Sequence, residues 1–368
     1  MDVQRHNLVG IELLRIVAMM MVVGLHYLNF GGILWSEAVM NRRIAWVIEA
    51  FLFVAVNCYV IISGYFLVKA KNFHWSKVGA LWAHTAFYAL LFTLAAIVYT
   101  GKWNLADIVH SLLPIRYTMY WFVTAYMGMY ILSPYLSRLA CHLEKNEYKK
   151  FLMILTGLFV LYSFLRQDAD PFNIGGGYTM AWFCVLFFWG GYIRLFGEDF
   201  LRRFSQREVF LIYVLASLFT FLAKKPMHYF FDLIDVHISG HSFSGFYMYN
   251  SPSVLLASRA LFVFFLRLEI SSERIKWCIQ RIAPLSFGVY LIHEHPFIRS
   301  QLWGHWIHLK PLYASPYFLL HFVSTVLLVF LICILLDKMR EWMFSLVKRL
   351  YGCVIIHGSG DCVRRKGQ

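Results

Sequence analysis

Charge is what this sequence has least of. Asp, Glu, Lys and Arg together make up 15% of its 368 residues, where a soluble domain carries roughly a quarter. That scarcity excludes a chain that meets water over most of its surface. Cysteine supplies no framework either. Cys58, Cys141, Cys184, Cys278, Cys333, Cys353 and Cys362 are scattered, odd in number and without a C-x-x-C pair. Neither a disulfide scaffold nor a zinc site is expected from them, and they read as small apolar residues. No internal repeat is visible, which argues against an inverted-duplication transporter. The first apolar block is too long for a cleavable signal and lacks a small-residue cleavage site, so it is expected to remain as a membrane helix.

What is present is apolar and aromatic: 60% of the residues are hydrophobic and 18% aromatic. They fall in long blocks with short polar joints, the pattern of repeated membrane crossing. Crossings are expected at 11–30, 45–67, 79–100, 120–137, 151–165, 180–196, 209–224, 251–267, 283–303 and 314–336, each about long enough to span roughly 30 Å at about 1.5 Å per residue. The expected architecture is therefore all-α: a polytopic membrane domain of about ten helices over 1–345, then a basic tail over 346–368 that is partly disordered. Trp75, Trp82, Tyr99, Trp103, Tyr117, Tyr120 and Trp121 lie near block ends, as aromatic belts do.

The net charge of +14 is compatible with nucleic acid or with loops facing anionic lipid, and its distribution decides. With the N-terminus placed inside, 23 of the 34 Lys and Arg residues fall on inner segments, 8 on outer ones, and Arg15, Arg259 and Arg299 within helices. That asymmetry predicts both termini on the cytoplasmic side. Positive charge spread over every inner loop excludes a nucleic-acid partner and fits membrane lipid. The outer segment from 226 to 250 contains His228, Asp232, Asp235, His237 and His241, whose spacing matches no metal-ligand pattern; a cover over an outward-facing cavity is expected instead, with no metal.

Chemistry concentrates in the first block. Arg15 and His26 are eleven residues apart, which on a helix returns to within about 20° of the same direction, about 16 Å further along the axis. Glu12 lies one turn below Arg15 on the same face. Glu12 and Arg15 alone read equally well as an ion pair at the inner interface, with Arg15 snorkelling. His26 lies farther in, where an ionisable group faces a bundle interior or a wet cavity. Elsewhere, Asn57 and Ser63 read either as cavity lining or as interhelical bonds, and Tyr120 and Trp121 either as site or as belt. His293 and Glu294 precede Pro296, which frees a carbonyl and kinks the helix, and they read as cavity lining. Arg259 and Arg299 read as partners for acidic neighbours, or Arg299 as lying near the outer surface, and no role is assigned to Arg299.

Arg15 followed by ten residues and His26 resembles the signature of the acyltransferase 3 family of bacterial membrane acyltransferases. Asn57-Cys58-Tyr59-Val60-Ile61-Ile62-Ser63-Gly64-Tyr65-Phe66-Leu67 resembles the family's second-helix segment. Tyr120-Trp121-Phe122-Val123-Thr124-Ala125-Tyr126, then Leu132-Ser133-Pro134, resemble its Tyr-Trp-Phe region, and Tyr290-Leu291-Ile292-His293-Glu294 a late motif. The resemblance implies an enzyme of the bacterial plasma membrane. It implies transfer of an acyl group, usually acetyl, from cytoplasmic acyl-CoA (acetyl-CoA) as co-substrate, with no bound cofactor, to a hydroxyl of a cell-surface polysaccharide or its lipid-linked precursor. Under it, His26 is the general base, Arg15 holds a phosphate or the thioester carbonyl, and Glu12 orients Arg15. Where many relatives carry Arg-x-x-Arg after the second helix, this chain has Lys69, Lys71, His74 and Lys77, which offer a phosphate charge without a bidentate fork. Transfer of succinyl is an alternative within the family. A transporter or flippase of a polar or lipid-linked substrate, and a structural envelope subunit, are the alternatives outside it.

Overall fold

The computed structural model describes residues 3–70, 72–165, 170–197, 203–224, 226 and 246–364, with side chains from 9 to 346 within those limits. Among the described residues the chain is helical throughout, with no strand. Lys71, the five His and Asp residues weighed as metal ligands between 228 and 241, and the final four residues lie outside the described residues.

Helix α1 (Val3–Phe30) is followed by α2 (Val39–Leu52) and α3 (Ala55–Leu67), then α4 (Trp75–Thr100), α5 (Leu105–Leu112), α6 (Trp121–His142) and α7 (Lys145–Thr156). Next come α8 (Met180–Phe196), α9 (Gln206–Leu222), α10 (Pro252–Leu266), α11 (Glu273–Ile282), α12 (Ser286–His293), α13 (Pro296–Gln301) and α14 (Phe318–Arg364). Their starts are written locally. The Thr179 and Ser251 side chains accept from the backbone N–H of Trp182 and Val254, with Pro252 in the first turn of α10, and Ser205 with Glu208 closes a reciprocal cap on α9. Each satisfies N–H groups that a helix start leaves orphaned.

Five helical stretches among the described residues are long and apolar enough to cross a membrane: Val9–Phe30, Val39–Leu67, Trp75–Thr100, Lys145–Leu165 and Phe318–Leu346. Each coincides with an expected crossing. Four more expected crossings coincide with α6, α8, α9 and α10; of these, α8 and α10 are apolar but shorter. The ninth, 283–303, is not one helix. A 3-10 turn at Ala283–Leu285, α12, α13 and a π turn at Leu302–Trp306 divide it. Pro296 lacks the N–H that would continue α12, and the His295 ring accepts from Phe297 N–H to start α13 anew. The boundary expected at 345 falls within α14.

The exterior is apolar. Leu320, Val323, Leu328, Leu331, Leu335 and Met339 are exposed along α14, and Leu91, Leu94 and Val98 along α4. Such stripes require lipid; the chain is a membrane protein. Inside, α3 and α8 approach closely through glycine. A Cβ on Gly64 would lie 2.3 Å from the Phe187 carbonyl oxygen, and one on Gly190 2.2 Å from that of Ile61. Small residues at such crossings let backbones pack where lipid provides no hydrophobic drive. The pair braces α3 beside α1 and α6, which wall the site.

Candidate active site

His26 stands one turn from the end of α1, and the divided ninth segment stands opposite it. His293 Nδ1 faces the Val289 backbone carbonyl at 2.5 Å, and its Nε2 lies 2.9 Å from His26 Nδ1. A carbonyl only accepts, so His293 Nδ1 carries the hydrogen. With His293 neutral, its Nε2 is a lone pair, and His26 Nδ1 must donate to it. The lone pair of a neutral His26 is thereby assigned to Nε2. Glu294 Oε2 lies 3.2 Å from the same His26 Nδ1, placed to stabilise an imidazolium. Arg299 Nη1 donates to Glu294 Oε1 at 2.7 Å, and its guanidinium lies 4.6 Å from the Phe30 ring centre. The break between α12 and α13 turns Arg299 back onto Glu294.

These groups border a cavity of about 300 Å³. His26, Glu294, Arg299 and Glu49 supply its ionisable wall, and Phe53, Trp121, Tyr178, Tyr249 and Tyr290 an aromatic one. Phe53 and Trp121 stack on Tyr249 with ring centres 4.7 and 5.9 Å away. Asn29 and Phe30 are exposed at one end, and Met19 and Tyr59 lie at the other, where the Tyr59 hydroxyl donates to the Arg15 carbonyl oxygen at 2.6 Å. Three cavity-lining residues hold buried polar atoms with no hydrogen-bond partner among the described residues: Glu49 Oε2, Glu294 Oε2 and Tyr290 Oη. Native interiors rarely leave such groups bare, so the cavity suits a ligand rich in hydrogen-bonding groups. A basic residue with a free lone pair, a buried carboxylate behind it and a hydroxyl-seeking wall can take a proton from an alcohol and hand it on.

A family model described as an acyltransferase domain matches residues 8–338. The chain belongs to the acyltransferase 3 family. No curated protein and no solved structure matches it.

In this acyltransferase, His26, Glu294 and Trp121 line the cavity, and His293 stands directly behind His26. Arg15 and Glu12 do not line it. They pair at 2.9 Å, both partly exposed, just beyond its Met19 end, with the Arg15 guanidinium 6.0 Å from the Phe66 ring centre. Asn57 is buried with both ends of its amide engaged: Nδ2 donates to the Tyr249 carbonyl at 2.7 Å, and Oδ1 accepts from Trp182 Nε1 at 3.0 Å. It holds the aromatic wall rather than lining the cavity. The Ser63 hydroxyl meets the Tyr59 carbonyl at 3.0 Å and the Tyr126 hydroxyl at 3.2 Å, one interhelical bond and one within α3. The belt reading fails for Tyr120, which is buried and donates to the Leu291 carbonyl at 2.9 Å, and for Trp121, which faces the cavity. Lys69 borders a second cleft, of about 590 Å³, with Asn72, Ser137, Arg138 and His142; Lys77 is exposed and lines neither. Arg259 places its guanidinium 3.6 Å from the Trp189 ring centre.

Glu49, Arg299, Asn29, Tyr59, Tyr178, Tyr249 and Tyr290 also line the cavity and were not among the site residues expected. Glu49 had a signal: a lone acid within an apolar block, the kind of residue that marks a membrane protein's working interior. Tyr178 and Tyr249 had none, since only the fold brings their segments to α6.

Proposed function

We propose that this protein moves an acetyl group from acyl-CoA to a hydroxyl of a cell-surface polysaccharide or its lipid-linked precursor. The observation that carries the reading is the hydrogen-bond chain from the Val289 carbonyl through His293 to His26 Nδ1, which leaves His26 Nε2 as the base at a cavity. In the proposed reaction the acceptor O–H gives its proton to His26 Nε2 as the oxygen attacks the thioester carbonyl carbon. Glu294, beside Nδ1, stabilises the imidazolium formed. When the tetrahedral intermediate collapses, the C–S bond breaks and the imidazolium returns its proton to the departing sulfur, giving the ester and free CoA thiol.

The donor approaches from the Arg15 end. Arg15, oriented by Glu12, and the cations at Lys69, Lys71 and Lys77 offer charge to its phosphates, and the cleft beside Lys69 and Arg138 has room for its nucleotide. The acceptor approaches from the Asn29 end, which is the outer one if the chain makes ten crossings with both termini inside, as its charge distribution predicts. Asn57, Ser63 and Tyr120 act indirectly, by holding the aromatic wall, α3 and α12. The test is transfer of label from radiolabelled acetyl-CoA into the glycan fraction of membranes carrying the intact protein or His26→Ala at equal level. Label with the first and none with the second is expected. Label undiminished by the substitution overturns His26 as base, and labelled succinyl-CoA in place of acetyl-CoA separates the two acyl groups.

A further inference from the structure

We infer that Glu49 is the anchor of the acceptor sugar: it binds a hydroxyl other than the one acylated and so selects which hydroxyl reaches His26. The inference rests on the acceptor occupying the cavity as proposed above. Glu49 comes from α2, whereas the reacting groups come from α1 and α12. Its side chain is 6% exposed, borders the cavity, and leaves Oε2 without a hydrogen-bond partner among the described residues. A buried carboxylate oxygen in that condition is costly unless something donates to it. Among the described residues nothing donates to this oxygen, and the nearby Lys224 ammonium lies over the Trp46 ring, 3.3 Å from its centre.

The neighbours of Glu49 narrow what can donate. Phe53, the residue just past the end of α2, stacks on Tyr249, and Trp121 stacks on the same ring. An aromatic surface beside carboxylates suits a ligand with apolar C–H faces and O–H edges, which is the chemistry of a pyranose ring. Glu294 Oε2 and the Tyr290 hydroxyl are the other buried cavity groups unpartnered among the described residues, and they belong to the His26 side. A sugar held at Glu49 by one hydroxyl and laid against the aromatic wall has only certain hydroxyls free to point toward His26. Regiochemistry is thus set at a distance from the base.

The experiment uses the full chain in lipid nanodiscs with a panel of methyl and p-nitrophenyl hexopyranosides of gluco, galacto, manno and N-acetylglucosamine configuration. Binding is read from thermal midpoint and tryptophan fluorescence, and acetyl position from NMR of products formed with acetyl-CoA. For at least one glycoside, Glu49→Gln is expected to raise the apparent Kd tenfold or more, to spread the acetyl over more hydroxyls, and to leave the midpoint without sugar near that of the intact protein. Glu49→Asp, which keeps the charge on a shorter arm, is expected to fall between and serves if the Gln variant does not fold. Unchanged affinity and unchanged acetyl position in both variants overturn the inference, as does a panel in which no glycoside binds the intact protein. Glu49-dependent binding without any acetyl transfer by the intact protein upholds the anchor and overturns the acyl-transfer reading instead.

Discussion

Among the described residues, the clusters of ionisable side chains around Asp337 and around His26 lie between helices and are built on opposite principles. Around Asp337 every acceptor is taken. Oδ1 receives Arg340 Nε at 2.7 Å and the Tyr88 hydroxyl at 2.9 Å, with His84 Nε2 at 3.1 Å, while Oδ2 receives Arg340 Nη2 at 3.1 Å. Asp337 is wholly buried, and none of the four residues borders either cavity. Around His26 the bonding is incomplete: Glu294 keeps a bare oxygen and the residues face open volume. Charge in a membrane interior is expensive in both places. Saturated, it ties α4 to α14; unsaturated, it waits for a ligand. The two meet through α12, since a Cβ on Gly288 would lie 2.2 Å from Asp337 Cγ, one end of α12 packing on the tie and the other bearing His293.

The sharpest way to break the comparison is to exchange the outcomes of two substitutions. His26→Ala is expected to lower acetyl transfer by about 10²- to 10⁴-fold, the range of a positioned general base, with an unchanged thermal midpoint. Asp337→Ala is expected to do the reverse. It strands Arg340 and costs about 3–5 kcal/mol, as the loss of one partner from a buried ion pair does, seen as a lower thermal midpoint and lower folded yield, while transfer per folded molecule falls less than tenfold. If Asp337→Ala abolished transfer in protein that melted normally, the two clusters would be one site.

His293 sharpens the comparison next, because it belongs to the unsaturated cluster without lining the cavity. His293→Leu removes the acceptor that holds His26 in its tautomer, and a loss of about 10- to 100-fold in kcat with little change in KM is expected, smaller than loss of the base itself. His293→Gln keeps an acceptor for His26 Nδ1 and is expected to recover most of that loss. Equal damage from both would mean that His293 matters only as packing.

The helices were legible in the sequence because crossing a membrane imposes length and hydropathy on each segment by itself. What depends on two segments at once was not. Asn57 read either as cavity lining or as an interhelical bond, because a polar amide in an apolar block fits both, and only the structure shows Trp182 and Tyr249 using both its ends. Asp337 drew no reading from the sequence, since its partners His84 and Tyr88 lie about 250 positions upstream. Arg299 carried no role until the break after α12 turned it onto Glu294. His26 with His293 and Glu294 was visible as two motifs, but the order of hydrogens between them comes from the Val289 carbonyl, a backbone group that no side-chain pattern reports.

Ser63 gives the smallest expected effect and tests where the site ends. Its hydroxyl reaches the Tyr59 carbonyl, which belongs to its own helix, and the Tyr126 hydroxyl on α6. The first is the back-bond of a helical serine, made to an acceptor that the helix ladder already uses. The second is a single interhelical bond of the kind that averages about 0.6 kcal/mol in membrane proteins. Ser63→Ala therefore removes one weak tie, and Tyr126 keeps its packing between Phe122 and Tyr130. Transfer within about twofold of the intact protein and a loss of stability under about 1 kcal/mol are expected, measured by label transfer and thermal midpoint on the same preparation. A tenfold fall in transfer at an unchanged midpoint would place the polar face of α3 inside the unsaturated cluster, and the border between holding and reacting groups would move from Tyr59 to Ser63.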